Sequence, residues 1–182
     1  MKTKRIFLIF ILLLGFFLRV YKVAEYPAGL NADEAAIGYN AYSLLQTGKD
    51  EFGHPWPINF QSFNDFKPGL YFYLVLPFVK LFGLTELAVR LPSAILGSLT
   101  VLILYFLVKK IISADFAVLA AFLLSVSPWH LHFSRGAGRV IRQCFLFYWE
   151  FICFIGLWKN QNISFFVPCA LFFQCTLIIP PD

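Results

Sequence analysis

Between Arg90 and Lys109 the chain runs for 18 residues, Leu91–Val108, without a charge, and between Asp115 and Arg135 for another 19, Phe116–Ser134. A helix needs about 20 apolar residues to cross the roughly 30 Å hydrocarbon core of a bilayer. Two such stretches make lipid one of this chain's solvents. The composition agrees: 59% of the 182 residues are hydrophobic, 23 are Phe, and only 14% are charged, against about 25% charged in a soluble domain. A disordered tail, a collagen-like fibre and an ordinary cytosolic enzyme are excluded. The net charge of +5 does not point to nucleic acid, because Lys and Arg punctuate the apolar runs instead of massing in a basic stripe.

Three other runs complete the expected topology. Ile6–Leu18 is uncharged for 13 residues between Arg5 and Arg19, the length of a signal-peptide core. Val20, Tyr21 and Val23 extend it, no small-residue cleavage site follows directly, and Arg19 and Lys22 can snorkel, so a retained span over about residues 6–23 is expected. Lys2, Lys4 and Arg5 place its start in the cytoplasm. Leu70–Phe82 contains Pro77 and Lys80 and as a helix reaches only about 20 Å, which suits the membrane surface. Lys109 and Lys110 then fall in the cytoplasm. The expected fold is all-α, a multi-pass membrane helical protein. Its spans lie at about 6–23, 91–108 and 116–134, with a long extracytoplasmic loop over 24–90 carrying interfacial helices at about 34–46 and 70–82. Gln143–Trp158, interrupted by Glu150, and Ile163–Ile179 are two further candidate spans.

The loop is where chemistry is expected. Residues 19–68 hold six of the ten carboxylates, nine aromatic residues and four prolines, and a polar segment of that length is long for a connector. Its first helix is expected to start with Asp33 as N-cap, to repeat Ile37, Ala41, Leu44 and Leu45 at helical spacing, and to stop at Gly48. The pair Asp33 and Glu34 has two compatible readings: helix capping with dipole complementation, or a catalytic carboxylate at the lipid–water boundary. Lys67 reads either as an interface anchor or as a cation for a lipid-linked phosphate. Arg90 and Arg135, flanking two spans, read mainly as anchors. His54, His130 and His132 have no zinc-like spacing, and His130 and His132 beside Trp129 suit an aromatic interface belt. The four cysteines, Cys144, Cys153, Cys169 and Cys175, show no metal-ligand spacing either. No metal or other cofactor is indicated.

Taken in order, the motifs resemble a family. Asn31-Ala32-Asp33-Glu34-Ala35 follows a short N-terminal span, then come Lys67-Pro68-Gly69-Leu70-Tyr71-Phe72-Tyr73 and Glu86-Leu87-Ala88-Val89-Arg90-Leu91-Pro92-Ser93-Ala94. Ser127-Pro128-Trp129 and His132-Phe133-Ser134-Arg135-Gly136-Ala137 close the series. Over about residues 5–137 this resembles the membrane glycosyltransferases of the C-type fold, in the branch of the protein O-mannosyltransferases and the aminoarabinose–lipid A transferase. The resemblance implies a multi-pass enzyme of the cell membrane whose active loop faces away from the cytoplasm. It implies a polyprenyl-phosphate sugar as donor and a lipid, protein or polysaccharide as acceptor, hence protein glycosylation or lipid A modification in the cell envelope. It also implies that Asp33, with Glu34, is catalytic and that Lys67 contacts the donor phosphate. Arg135 is a second candidate for that phosphate. A single base opposite the leaving group gives an inverting displacement. Tyr39, Trp56 and Tyr71 are candidate sugar or lipid contacts.

The family pattern weakens after Ala137, where Gly138-Arg139-Val140-Ile141-Arg142-Gln143 follows and all four cysteines fall in the last 39 residues. Residues 138–182 therefore read as an atypical hydrophobic tail, expected to come from an out-of-frame or disrupted reading of a longer gene, and the chain as the N-terminal part of a larger enzyme. The competing expectation is a non-catalytic membrane protein, or an inactive remnant that keeps the architecture. A transporter or channel fits poorly, because the spans carry almost no polar residues to line a path.

Overall fold

The structure is a computed structural model and describes residues 2–62 and 65–137. Among these are six helices and one hairpin: α1 (Lys2–Val20), α2 (Ala32–Thr47), β1 (Asn59–Ser62), β2 (Asp65–Pro68), α3 (Leu70–Phe82), α4 (Glu86–Ile111), α5 (Ala114–Val126) and α6 (Pro128–Arg135). The chain forms two compact units, one containing Met1–Lys22 and the stretch from Ser93, the other Val23–Pro92. The tail's two candidate spans lie outside the described residues.

In the first unit, α1 and α5 pack on the following part of α4. Ile11, Val101, Tyr105, Ala117 and Ala121 make the buried cluster, with Leu8, Leu12, Val108, Val118 and Leu124 around it. Ala117, Ala121 and Ser125 recur every fourth residue, a stripe of small side chains that lets α1 approach closely. The other face of α1 exposes Ile6, Phe7, Ile9, Phe10, Leu13, Phe16 and Phe17, an apolar surface suited to lipid rather than water. The charge-free run 91–108 is contained in the 26-residue α4, the one described helix long and apolar enough to cross a membrane by itself.

The expected span 116–134 is not one helix. It is broken at Ser127, and α5 and α6 meet at a bend of 57°. Pro128 has no N–H to donate and forces Ser127 into an extended conformation, φ −60° and ψ 120°. The expected span 6–23 also ends early, at Val20, after which Lys22 turns through a positive φ of 52°.

The second unit departs from the all-α expectation through its antiparallel hairpin, in which Asn59 pairs with Pro68, Phe60 with Lys67 and Gln61 with Phe66. Pro55 and Pro57 bar a helix before it, and a lone two-stranded hairpin is marginal in water. Here the ring of Phe60 stacks on Phe72 of α3, 4.0 Å between centroids and 3° from parallel, which ties the hairpin to a helix. At the strand–helix junction Gly69 donates its N–H to the Ile58 carbonyl at 2.8 Å. A Cβ at Gly69 would lie 2.4 Å from that carbonyl oxygen, so no other residue fits without moving backbone. Helix α3 has the boundaries read from the sequence, 70–82.

Candidate functional site

Helix α2 positions the acidic pair by a device the sequence reading assigned to the wrong residue. The N-cap is Asn31, not Asp33. Asn31 Oδ1 accepts from the Glu34 N–H at 2.8 Å, and Glu34 Oε2 accepts from the Asn31 N–H at 3.1 Å, a reciprocal capping box. The signal was legible as Asn31 three residues before Glu34. At the other end Gly48 closes the helix in the left-handed region, φ 71°, as expected. Ile37, Ala41 and Leu44 are buried on the inner face, while Leu45 is exposed.

Because Asn31 caps the helix, Asp33 is not the cap. Its Oδ1 lies 2.5 Å from Lys67 Nζ. The Asp33 side chain is 54% exposed and that of Lys67 only 6%. The cation is therefore enclosed by its surroundings, while the carboxylate that neutralises it stands half in solvent. Lys67 owes its place to the hairpin, opposite Phe60 and two residues before the Gly69 junction.

Glu34 faces the other way and is buried with Arg90. Arg90 Nε reaches Glu34 Oε1 at 3.0 Å and Nη2 reaches Oε2 at 3.0 Å. The remaining guanidinium hydrogens go to backbone carbonyls: Nη1 to Val23 at 3.0 Å and Pro27 at 2.7 Å, Nη2 to Gly29. All five donors of the guanidinium are satisfied. Glu86, one turn before Arg90 on α4, lies 3.7 Å from Nη1. Arg90 was expected to be an interface anchor; it is instead fully buried and joins the 23–29 segment, α2 and α4.

The remaining candidates separate clearly. Tyr71, expected as a sugar or lipid contact, is fully buried, and its hydroxyl donates to the Val89 carbonyl at 2.9 Å. Helical spacing puts it on the inner face of α3 with Phe72, Val75 and Val79. Tyr39 and Trp56 are exposed. Arg135 belongs to the first unit, where Nη1 donates to Leu18 O at 3.1 Å and Nη2 to Tyr21 O at 2.9 Å and Lys22 O at 3.2 Å. A cation there meets the carbonyls a helix end leaves unpaired.

A reciprocal contact in the same unit was missed. Arg19 does not snorkel but is fully buried. It donates to Gly15 O of its own helix at 2.6 Å, and to Ser125 O at 3.2 Å and Leu124 O at 3.5 Å, carbonyls at the end of α5 where Pro128 breaks the helix. Its Nη2 also lies 2.7 Å from Nδ1 of His130, which is buried and not part of an interface belt. No group of three His, Cys, Asp or Glu suited to a metal occurs among the described residues.

The family model of the dolichyl-phosphate-mannose-protein mannosyltransferases matches residues 66–177, more than half of the chain. The match includes Lys67, Arg90 and Arg135, begins after Asp33 and Glu34, and continues past Ala137. The likeness thus does not stop where the expected disruption placed its break. No curated protein and no solved structure matches the chain.

Proposed function

Since the chain belongs to the dolichyl-phosphate-mannose-protein mannosyltransferase family, we propose that it takes part in glycosyl transfer from a polyprenyl-phosphate sugar to an acceptor on the non-cytoplasmic side of a membrane. Lys67 meets the donor phosphate in this reading, and Asp33 serves as general base. The observation that carries it is the contact between Lys67 Nζ and Asp33 Oδ1, a cation and a half-exposed carboxylate brought together across 34 residues of chain.

The pairing suggests an order of events. A phosphate bears more negative charge than a carboxylate and competes for the Lys67 ammonium. As the donor docks, Lys67 turns from Asp33 to phosphate and Asp33 is released toward the acceptor. The acceptor O–H gives its proton to Asp33 while its oxygen bonds to the anomeric carbon. The bond from that carbon to the phosphate oxygen breaks on the opposite face, and its electron pair stays on the phosphate beside Lys67. One displacement inverts the anomeric centre.

Glu34 has no chemical role in this scheme. Both of its oxygens are engaged by Arg90, and its place next to Asp33 in sequence makes it a positioning residue. Arg135 acts on α1 and is not needed at the phosphate.

The test uses the chain in lipid vesicles with a radiolabelled polyprenyl-phosphate hexose and a hydroxyl acceptor. D33N is expected to lose about 10²–10⁴ in transfer rate while keeping donor binding, and K67A to lose donor binding. Wild-type transfer by both variants would overturn the proposal. Donor binding with no turnover in the wild type would favour a non-catalytic remnant that keeps the architecture.

A further inference from the structure

The segment that follows α2 folds back on itself. Lys49 and Pro55 form an antiparallel bridge. The Asp50 N–H donates to His54 O at 3.0 Å, and the Trp56 N–H donates to Gly48 O at 3.3 Å. Asp50 organises this turn from within. Its side chain is 1% exposed; Oδ1 accepts from the Phe52 N–H at 3.0 Å and the His54 N–H at 2.7 Å, and Oδ2 lies 3.1 Å from His54 Nδ1. The imidazole itself is 62% exposed. Because a carboxylate oxygen only accepts, Nδ1 carries the proton of this contact, and in the neutral ring that tautomer leaves Nε2 as an acceptor.

Two residues on, Trp56 adopts a positive φ of 46°, a region costly for a bulky side chain and persistent only where the surroundings over-determine it. The indole is nonetheless 58% exposed. One of its neighbours is Tyr73 of α3, nearly parallel to it at 11° with centroids 6.2 Å apart. Tyr73 donates its hydroxyl to Pro57 O at 2.7 Å, and its pKa is raised by burial first and by the Asp50 charge second. Phe60, opposite Lys67 in the hairpin, meets the Tyr73 ring edge-on at 5.9 Å. A line of rings thus runs from the exposed indole to the strand pair that carries Lys67.

We propose that this turn is a saccharide-binding subsite, with Trp56 as the stacking platform for an apolar sugar face and His54 Nε2 as the acceptor for a sugar hydroxyl. Stacking on an aromatic face together with a fixed polar acceptor is what a polyol with one C–H face requires. A lipid surface is the other chemistry that seeks exposed aromatics, and the turn is ill suited to it. Lys49, Asp50, Glu51 and His54 fall within six residues, and taking them into hydrocarbon would strip their water at high cost. The choice of a sugar as ligand rests on the glycosyl-transfer reading; the site itself does not use Asp33 or Lys67.

The test follows the fluorescence of Trp56 in the full chain held in lipid nanodiscs, with Trp129, Trp149 and Trp158 replaced by Phe. Methyl α-mannoside and a mannotriose are the probes. A saturable change is expected, weakened about tenfold in H54A, as for loss of one hydrogen bond, and partly restored in H54Q, whose amide oxygen is again an acceptor. The sugar response is expected to persist in K67A, so that failure of the donor site and failure of this subsite are told apart. W56F, followed by saturation-transfer NMR of the sugar protons, is expected to keep binding, whereas W56A loses it with an unchanged melting temperature. No saturable response in the wild type, or equal responses in wild type and H54A, would overturn the proposal. So would strong quenching of Trp56 by lipids brominated in their acyl chains, which would assign the turn to the bilayer.

Discussion

Glu34 and Arg90 close on each other with two parallel hydrogen bonds, both 3.0 Å, in a place that water does not reach. The pair joins the start of α2 to the first turns of α4 and leaves the neighbouring carboxylate, Asp33, to Lys67. One acidic residue of the doublet therefore serves the fold and the other serves the exposed edge.

Breaking the buried pair from one side strands a charge. E34A and R90A are each expected to destabilise the second unit by about 3–5 kcal/mol. The double variant should cost clearly less than the two singles combined, because neither charge is then left alone. Thermal melts of the four proteins in one detergent decide this, and strict additivity would mean that the two side chains do not support each other.

The pair of Asp33 and Lys67, buried on one side only, behaves differently. Asp33 stands half in solvent, which screens its charge, and in D33N an amide oxygen can still accept from the buried Lys67 ammonium. D33N is expected to melt close to the wild type while transfer falls by about 10²–10⁴. A large loss of stability with unchanged turnover would reverse the roles of Asp33 and Glu34.

Tyr71 offers a check on the boundary between core and site. Y71F leaves the Val89 carbonyl without its hydroxyl donor and is expected to cost about 1 kcal/mol of stability. The dissociation constant for donor should not change. A selective loss of donor affinity at constant stability would return Tyr71 to the binding surface.

In the first unit, Gly97 and Ser134 bring α4 and α6 together. A Cβ at position 97 would lie 2.4 Å from the Ser134 Cβ, so G97A is expected to destabilise by about 1–3 kcal/mol through overpacking. S134G removes the opposing atom. The double variant G97A/S134G is expected to recover most of the loss, read as a melting temperature above that of G97A alone.

How much of this was legible depended on the range of the interaction. The boundaries of α3, the stop at Gly48 and the apolar body of α4 were readable because each is decided by neighbours within a few residues: a proline or glycine, a helical period, an absence of charge. The capping box at Asn31 and Glu34 was equally local and was passed over in favour of the more acidic Asp33. The break at Pro128 was local too, and was masked by an uncharged run whose length alone suggested one continuous span.

The charges tell the opposite story. Arg19, Arg90 and His130 all read as interface residues, since a charge beside an apolar run is at home at the bilayer edge. Each is buried, and each has a partner far along the chain: Arg19 meets Ser125 across 106 residues, and Arg90 meets Glu34 across 56. Nothing near them in sequence announces those partners.

The sequence by itself thus determined a largely helical chain, the apolar body of α4, the ends of α3, the stop of α2 at Gly48 and the family to which the motifs belong, because hydropathy and turn chemistry act over one or two turns of chain. Only the tertiary structure decided which acid faces Lys67, which is locked to Arg90, and which aromatic rings are core and which are surface. Those outcomes turn on burial and on contacts between distant segments, and a carboxylate or a guanidinium has the same chemical identity on the page whether it ends in water or in the core.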